Sequence, residues 1–334
     1  MSKTTIKDIA KKLGIAPSTV SRGLHDNPTI SQETKDKILE TAQELNYFSN
    51  SIAQNLQKGT SDIIGVVVPK VEHKFFAEVM SGITDIAEEA NYNVMVCQSN
   101  NKYHNEAQNV KTLIKHQMAG LLISVSSETD QKDHLDLVTS QDIPLVFFDR
   151  AYEDVEASRV IVDDYGGAYN AVDSLIKKGY DRIAYIAANQ NLSIARKRYK
   201  GYVDALIDNK IEYNEDLVIF GGVDEKDGKE GFNSLVSQLD SYPDAIFAFN
   251  DPVAIGVYLE MRKRDLKIPD DIALSGFCNN PNSRLLEPPL TTVNQPAYEI
   301  GKEATKLLLK QIKNDDLVVK EKILDTELIE REST

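Results

Sequence analysis

Apolar residues recur at helical spacing near the start of the chain. Four of them lie three or four positions apart and predict the buried face of a short helix: Ile6, Ile9, Ala10 and Leu13. Thr5 stands three residues before Asp8, which is typical of a helix start, and Gly14 is suited to end the helix. Pro17 is favoured in the first turn of a helix, so a second helix is predicted at 17–24.

This second helix has a narrow apolar edge and a polar face. Val20 and Leu24 form the edge, whereas Ser18, Ser21 and Arg22 lie off it. Ser31 is a good cap for a third helix, whose apolar stripe is predicted from four residues: Ile38, Leu39, Ala42 and Leu45. Two short helices joined by a Gly turn are typical of a helix-turn-helix, whose second helix enters the DNA major groove. An ordinary amphipathic hairpin would show the same local pattern.

From residue 63 onward, short apolar runs alternate with longer helical stretches. The apolar runs predict nine strands, at 63–68, 94–97, 120–124, 145–148, 160–162, 183–186, 218–220, 245–249 and 272–275. Helical periodicity predicts helices at 76–90, 104–118, 165–178, 196–209, 229–239, 252–263 and 297–313. A last strand is expected at about 318–328. Such alternation is typical of parallel sheets covered on both faces, and the number of strands favours two sheets.

Length and composition indicate a multidomain protein without a membrane segment. A chain of 334 residues exceeds one comfortable core, so two or three domains are expected. No apolar run has the length of a membrane span, and the polar start Met-Ser-Lys-Thr-Thr is unlike a signal peptide. Cys97 and Cys278 are too few for a disulfide framework and suit a reducing compartment. We therefore expect a cytoplasmic protein with no membrane partner.

Charge is distributed unevenly along the chain. Residues 1–61 carry eight basic and six acidic residues, a net charge of +2. The remainder carries 30 basic and 46 acidic residues, a net charge of −16. Because DNA repels an acidic surface, DNA contact is expected to be confined to the N-terminal part. Solubility alone would explain the acidic remainder but not this contrast.

Catalytic and cofactor motifs are missing from the sequence. It contains no glycine-rich phosphate loop and no nucleophile elbow. The five histidines, at positions 25, 73, 104, 116 and 134, have no Glu or Cys partner at metal-ligand spacing. We therefore expect neither an enzyme nor a cofactor.

The N-terminal motifs resemble those of the lactose-repressor (LacI/GalR) family of bacterial transcription regulators. The resemblance is carried by Thr-Ile-x-Asp-Ile-Ala at 5–10, Thr-Val-Ser-Arg at 19–22, Asn-Tyr at 46–47 and Asn-x-x-Ala-x-x-Leu at 50–56, and it continues through the chain. It implies a helix-turn-helix domain at 1–49, a hinge helix and linker at 50–61, and an effector-binding and dimerisation core at 62–334. The implied fold class is α/β, an all-α N-terminal domain followed by a two-lobed periplasmic-binding-protein-like core of doubly wound parallel sheets. Lobe one would comprise about 62–160 and 291–317, and lobe two about 161–290 and 318–330.

The resemblance also implies a homodimer that binds a pseudo-palindromic operator in double-stranded DNA. Ser18 and Arg22 are the candidates for contact with base edges, since arginine and guanine form the commonest such pair. Thr5, Thr19 and Ser21 are candidates for phosphate contacts, which position the protein without specifying sequence. Pro17 occupies a base-reading position but offers only an apolar contact. Ala16 stands where a serine cap is common, so the second helix is expected to begin without a side-chain cap.

The hinge is expected to order on DNA. A helix at 50–56 has only about two turns and is unstable alone in water, so we expect it to fold on binding. By the resemblance, two such helices pair in the minor groove, where Asn50 and Ala53 contact DNA and Leu56 wedges between base steps. Ser49 stands where the family often has proline.

A ligand cleft is expected between the lobes. Ligands of open α/β sheets bind beyond the carboxyl ends of the strands, and the resemblance points to a sugar or sugar derivative there. The candidate effector residues are Phe75, Phe76, Asp149, Arg196, Arg198, Asn250, Asn279 and Gln295. By the resemblance, Asn250 contacts the ligand and Asp251 caps the following helix. Cys278 stands where many members have Asp and is a poor acceptor, so either Asn279 substitutes or the effector differs in kind.

The chemical class of the effector stays open at the level of sequence. Lys74 near Arg196 and Arg198 would suit an anionic ligand such as a sugar phosphate or sugar acid. The expected function is a transcriptional regulator, a repressor whose operator affinity is controlled by this effector. A solute-binding protein of the periplasmic type would share the fold of residues 62–334 but not the N-terminal 60 residues. A regulator controlled by a protein partner is a further alternative.

Overall fold

The computed structural model describes residues 4–45, 47, 61–314 and 318–334. The chain separates into two units, divided after residue 59. The predicted hinge, with Asn50, Ala53 and Leu56, lies outside the described residues. None of the described helices is long and apolar enough to cross a membrane.

The described part of the N-terminal unit contains the helices α1 (Ile6–Leu13), α2 (Pro17–Leu24) and α3 (Gln32–Glu44). The backbone N–H and the hydroxyl of Thr5 both donate to Asp8 at 2.8 and 2.7 Å, and Gly14 ends α1 with φ +67°. No side-chain cap precedes α2 at Ala16, as expected. The helices pack around five buried residues: Ile9, Ala10, Val20, Ile38 and Ala42.

One residue of the apolar stripe predicted for α3 is not buried in the structure, so its prediction is wrong. Leu39 is 50% exposed, whereas Ile38 is fully buried. Successive residues of an α-helix are separated by about 100°, so a stripe centred on Ile38 and Ala42 turns Leu39 away from the core.

The second unit has two parallel sheets, as the alternating pattern predicts. Sheet one has the order β2 (Asn93–Gln98), β1 (Ile63–Val68), β3 (Gly120–Ile123), β4 (Leu145–Phe148), β5 (Ser158–Val162) and β11 (Glu321–Leu324). Sheet two has the order β7 (Val218–Gly221), β6 (Ile183–Ala188), β8 (Ala245–Ala248), β9 (Ala273–Phe277), β10 (Thr291–Asn294) and β12 (Glu327–Ile329). All described neighbours pair in parallel except β10 and β12, which are antiparallel.

Helices cover both faces of each sheet. Sheet one is covered by α4 (Lys74–Glu89) and α11 (Ala297–Ile312) on one face and by α5 (Tyr103–Lys115) and α6 (Asp133–Thr139) on the other. Sheet two is covered by α7 (Asp164–Lys177) and α8 (Ser193–Asp208) on one face and by α9 (Glu225–Gln238) and α10 (Asp251–Lys263) on the other. We call each sheet with its helices a lobe. Each lobe is therefore doubly wound.

The chain crosses between the lobes at places that differ from the sequence-based boundaries. Strand β10 pairs with β9 in sheet two, so the predicted return to lobe one at residue 291 is wrong, and the return follows Asn294. The single strand predicted at 318–328 is two strands, β11 in sheet one and β12 in sheet two.

Helix α11 packs so closely on α4 that a Cβ on Gly82 would lie 2.1 Å from the carbonyl oxygen of Tyr298. Helix α6, with seven residues, was not predicted, because it is too short to show helical periodicity.

Candidate ligand-binding cleft and exposed helix

A cavity lies between the two lobes at the carboxyl ends of their strands. The space between its lining atoms is about 470 Å³, which includes open solvent. The first lobe contributes His73, Lys74, Phe75, Phe76, Asp149 and Arg150. The second contributes Ile194, Arg198, Phe249, Asn250, Pro252, Cys278 and Asn280, and Gln295 follows β10. In each sheet the strand order reverses near this cavity, which is where open α/β sheets bind ligands.

Asp149 and Arg150 form the polar floor of the cavity in the first lobe. Both follow β4, and both are buried, with 6% and 5% of their surface exposed. Ser124 Oγ donates to Asp149 Oδ2 at 3.4 Å, and Arg150 Nε lies 3.7 Å from the same oxygen. Burial raises the pKa of the Asp149 carboxyl, and the charges of Arg150 and Arg198 oppose this shift. Asp149 has φ +59°, an uncommon conformation that turns its carboxylate away from the strand direction.

Two buried donors beside this carboxylate form no regular hydrogen bond with the residues that the structure describes. Arg150 Nη1 donates to Asn101 Oδ1 at 2.7 Å, but Arg150 Nε has no hydrogen-bond partner among the described residues. Gln295 approaches Asp149 closely enough to lower its pKa, yet its Nε2 makes no hydrogen bond of ordinary geometry with a described residue. Leaving a buried donor unsatisfied costs about 1–3 kcal/mol. A ligand with acceptor oxygens at this position would remove that cost.

Arg198 lines the cavity with its charge already paired. Its Nε donates to Asp164 Oδ1 at 2.8 Å, Nη2 lies 2.7 Å from the same oxygen, and Nη1 donates to the carbonyl of Phe249 at 2.7 Å. Its guanidinium carbon lies 3.6 Å from the ring centre of Phe277. Burial raises the pKa of Asp164 to about 6, and Arg198 opposes that shift. Arg198 is therefore fixed in place and has little free charge to offer an anion.

Asn250 and Asp251 do not have the roles expected from the sequence, because Asn250 is the residue that caps the helix. Asn250 is the N-cap of α10, where its Oδ1 accepts from the backbone of Val253 at 2.9 Å and its Nδ2 donates to the Val223 carbonyl at 2.9 Å. The prediction that Asp251 caps this helix is therefore wrong. Asp251 is fully buried and accepts three hydrogen bonds of 2.6 Å, from Asn280 N, Ser283 Oγ and Thr292 Oγ1. Asn250 still lines the cavity, but its amide is already engaged.

Two predicted effector residues, Asn279 and Arg196, lie outside the cavity. Asn279 donates to Asn294 Oδ1 at 3.0 Å and accepts from Arg331 Nη2 at 2.7 Å. The turn after β9 has positive φ at Cys278 (+99°) and Asn279 (+48°), and it is Cys278 that faces the cavity. Burial raises the pKa of the Cys278 thiol, so the thiol is neutral.

Of the three cations proposed to bind an anionic ligand, Lys74 and Arg198 line the cavity and Arg196 does not. Arg196 pairs with Glu153 of the first lobe and donates to the carbonyls of residues 190 and 191. Lys74 lies 3.5 Å from Glu78 on the exposed face of α4. Arg198 is paired with Asp164. All three cations are paired with carboxylates, so an anionic ligand would compete with those pairs.

The two phenylalanines form one wall of the cavity. Phe75 and Phe76 meet edge to face with ring centres 5.2 Å apart. Phe76 is 2% exposed and belongs to the core of the first lobe, which leaves Phe75, half-buried, as the ring better placed to stack on a ligand. The guanidinium carbon of Arg150 lies 5.9 Å from the Phe76 ring centre.

Ion pairs join the lobes at the edge of the cavity. Lys70 Nζ and His73 Nε2 of the first lobe lie 2.6 and 3.4 Å from the carboxylate of Asp224 in the second. Hydrogen bonds from His73 and Lys70 lower the pKa of Asp224 to about 2. Glu153 and Arg196 form another link between the lobes. The sequence analysis missed Asp224, because its partners are about 150 positions away and no local motif marks it.

In the N-terminal unit, helix α2 presents the predicted polar face. Pro17, Ser18 and Arg22 are exposed, and Thr19 and Ser21 are half-buried. The Arg22 side chain forms no hydrogen bond or ion pair with another described residue, so it is available to an outside partner. Ser18 and Arg22 lie four positions apart and therefore share one face of α2. The backbone N–H and the hydroxyl of Thr5 lie at the start of α1, where both donate to Asp8.

Comparison with known families matches both units. A family model described as bacterial regulatory proteins, lacI family, matches residues 5–50. A second, described as periplasmic binding proteins and sugar binding domain of LacI family, matches residues 61–331. The ribose operon repressor of Haemophilus influenzae is 32% identical over 329 residues, which cover 98% of each protein.

Solved structures show the same architecture. The lac repressor dimer bound to operator and the anti-inducer ONPF has a TM-score of 0.87 at 23% identity, covering 100% of this chain and 99% of that chain, a likeness of fold alone. A LacI family transcriptional regulator from Enterococcus faecium with bound ribose has a TM-score of 0.71 at 27% identity. That match covers 81% of this chain and 98% of the other.

Proposed function

The chain belongs to the LacI family of bacterial regulatory proteins, and we propose that its effector is a neutral monosaccharide of pentose size. The protein is a DNA-binding transcriptional regulator, and its relatives are transcriptional repressors rather than enzymes. The proposed sugar would occupy the cavity between the lobes. Its occupancy would change the affinity of the protein for its operator.

The observation that carries this proposal is the balance of charge and hydrogen-bonding capacity in the cavity. The Asp149 carboxylate lies beside Arg150 Nε and Gln295 Nε2, two buried donors that form no hydrogen bond of ordinary geometry with a described residue. A sugar hydroxyl can donate to a carboxylate and accept from an N–H group at once. Neighbouring hydroxyls of one ring would therefore satisfy all three groups. The cations that line the cavity, Lys74, Arg150 and Arg198, each lie beside a carboxylate already.

The aromatic lining of the cavity favours the same class. Phe75 offers a face on which the C–H groups of a sugar ring can pack. The related repressor of the ribose operon and the ribose-bound regulator support a pentose, although their ligands are properties of those proteins.

The DNA-binding half of the proposal uses the domain division predicted from the sequence. Residues 1–49 would bind DNA, residues 50–61 would link, and residues 62–334 would bind the effector and dimerise. Ser18 and Arg22 of α2 would contact base edges, and Pro17 would add an apolar contact there. Thr5, Thr19 and Ser21 would contact the phosphates. A homodimer would place two such helices on a pseudo-palindromic operator, in the cytoplasm where bacterial DNA lies.

The effector and the operator would be coupled through the lobes. A sugar that binds more tightly to one arrangement of the lobes shifts the population toward it. If that arrangement also changes how the two DNA-binding units are presented, DNA affinity changes by the same coupling free energy. The direction of the effect distinguishes an inducer from a co-repressor.

Thermal unfolding against a ligand panel tests the proposal. The panel contains D-ribose, two other pentoses, ribose 5-phosphate, ribonic acid, cellobiose and adenine. A neutral pentose should raise the unfolding midpoint, since a ligand at a hundredfold excess over its dissociation constant adds about 2.7 kcal/mol of stability. Stabilisation by ribose 5-phosphate or ribonic acid without stabilisation by any neutral sugar would refute the proposal, as would stabilisation by adenine alone.

A further inference from the structure

A buried acid–base pair lies in the first lobe behind the cavity. Glu106 on α5 has no exposed surface, and His134 on α6 has 1%. His134 Nε2 donates to Glu106 Oε1 at 2.8 Å, and Tyr103 packs edge to face on the imidazole at 5.4 Å. Neither side chain lines the cavity. Burying a carboxylate is costly, so a feature that needs only packing would be made more simply by apolar residues.

Glu106 holds the loop that follows β3. Its Oε2 accepts from the backbone N–H of Ser126 at 2.5 Å, and its Oε1 accepts from Thr129 Oγ1 at 2.9 Å. Ser126 Oγ in turn donates to Ser99 Oγ at 2.7 Å, at the end of β2. The carboxylate therefore holds the loop after β3 directly and the end of β2 through Ser126, and these two strands of sheet one lie on either side of β1.

The same loops hold Arg150. The backbone N–H of Val125 donates to the Arg150 carbonyl at 3.2 Å, and Asn101 Oδ1 accepts from Arg150 Nη1 at 2.7 Å. Val125 adjoins Ser126, and Asn101 lies two residues after Ser99. Burial lowers the pKa of the Arg150 guanidinium, and the carboxylates of Asp149, Asp224 and Glu106 oppose that shift. Glu106 is thus connected to Arg150 by two hydrogen-bonded paths and by its charge.

We propose that Glu106, supported by His134, is a positioning residue for the effector: it holds the loops that aim Arg150 and Asp149 into the cavity. This role rests on the proposed function, because it concerns the same ligand site. This positioning role differs from a general contribution to stability, because Glu106 acts on the loops that follow β2, β3 and β4 at one edge of sheet one.

Glu106→Gln is the variant that tests this role. The glutamine keeps one acceptor but brings an NH2 group against the Ser126 N–H or the Thr129 hydroxyl, and it removes the negative charge. Affinity for D-ribose, measured by titration calorimetry, should fall about tenfold, the effect of losing one strong hydrogen bond. Thr305→Val is the control, because Thr305 is buried in α11 and donates only within its own helix, to Gly301. It should leave ribose affinity unchanged even where it lowers the unfolding midpoint.

A readout without ligand separates this inference from the proposed function. Hydrogen exchange of the free protein, followed by mass spectrometry, should show loss of protection at residues 98–102, 124–129 and 149–151 in Glu106→Gln but not in Thr305→Val. Thr129→Val, which removes one donor to Glu106, should give a smaller change in the same segments if Glu106→Gln does not fold. Unchanged exchange in those segments, or a change spread evenly over both lobes, would overturn the inference. If the wild type does not bind ribose, the proposed effector is wrong, and the exchange experiment alone decides the role of Glu106.

A double-mutant cycle distinguishes positioning from a separate structural effect. Arg150→Lys keeps the charge but loses Nε. If Glu106 acts through Arg150, Glu106→Gln should cost less affinity in the Arg150→Lys background than in the wild type. Additive losses in affinity would contradict an action through Arg150.

Discussion

The features that prepare Asp149 for ligand binding also lower the stability of the folded protein. Its carboxylate is buried, its backbone is left-handed, and two neighbouring donors are incompletely satisfied. Burial raises its pKa above the ordinary value of 3.8. A raised pKa in the folded state means that the contribution of Asp149 to stability is fully present at low pH. That contribution is lost as the pH rises through the folded pKa.

Asp149→Asn should therefore separate binding from stability. The neutral amide is close in shape but cannot accept from a sugar hydroxyl at both positions, so sugar affinity should fall by about 2 kcal/mol, roughly thirtyfold. The variant should lack the wild-type fall in unfolding free energy above pH 4, because it has no carboxyl to ionise. Denaturant unfolding at several pH values and calorimetry with D-ribose measure the two effects. Retention of full sugar affinity by the variant would contradict the role assigned to Asp149.

Arg22 is the residue on which sequence discrimination should depend. It is exposed on α2, and its side chain forms no hydrogen bond or ion pair with another described residue. Arg22→Ala should lose about 1–3 kcal/mol of discrimination between the operator and a scrambled duplex, the usual effect of removing one bidentate base contact. Fluorescence anisotropy with both duplexes, at a fixed salt concentration, measures this. Sugar binding should be unaffected, and an unchanged ratio of the two DNA affinities would exclude Arg22 as a base-reading residue.

At the scale of elements, the start of α10 combines a helix cap with a wall of the cavity. Asn250 caps the helix through Oδ1 and holds the loop after β7 through Nδ2. Asn250→Ala should lower the unfolding free energy by about 1 kcal/mol through loss of the cap. Asn250→Ser keeps a capping oxygen and should be closer to the wild type in urea unfolding. Equal destabilisation by both substitutions would show that the bond to the Val223 carbonyl, rather than the cap, is the important one.

Most elements were predictable from the sequence, because their patterns are local. The apolar periodicity of α1 and the run of aliphatic residues in β1 depend on neighbours a few positions away. The pairing of β10 with β9 and the division of the last segment into β11 and β12 depend on where the chain crosses between lobes. No local pattern records that crossing. Helix α6 is too short for periodicity to separate it from a loop.

The candidate site was predictable to the extent that a residue directly follows a strand. Asp149 and Gln295 do so, and both reach the cavity. Asn279 also follows a strand, but a left-handed turn directs it to Arg331 instead. Arg196 precedes Arg198 by two positions and therefore lies on another face of α8. Glu106 and Asp224 carry no motif, because their partners come from distant parts of the chain.

At the scale of the whole molecule, the two lobes are held together by ion pairs as well as by the crossing segments. Asp224 of the second lobe accepts from Lys70 of the first, and His73 lies close to it. Its pKa is lowered to about 2, so its contribution to stability is present above pH 3.8 and is lost as the pH falls toward 2. Because the carboxylate is about one-third exposed, solvent screening reduces this contribution to about 1 kcal/mol.

Asp224→Asn tests whether the ion pair between Lys70 and Asp224 holds the two lobes close together. Asparagine is as good an N-cap as aspartate, so the start of α9 should be preserved while the charge is lost. At pH 7 the sugar-free variant should show a larger radius of gyration by X-ray scattering, and sugar affinity should fall because binding must then close the lobes. Its stability should depend less steeply on pH between 4 and 2 than that of the wild type. Glu78→Gln, which breaks the pair with Lys74 within one lobe, is the matched control. If both variants scatter like the wild type and bind sugar equally well, the pair at Asp224 does not govern closure, and the crossing segments alone set the angle between the lobes.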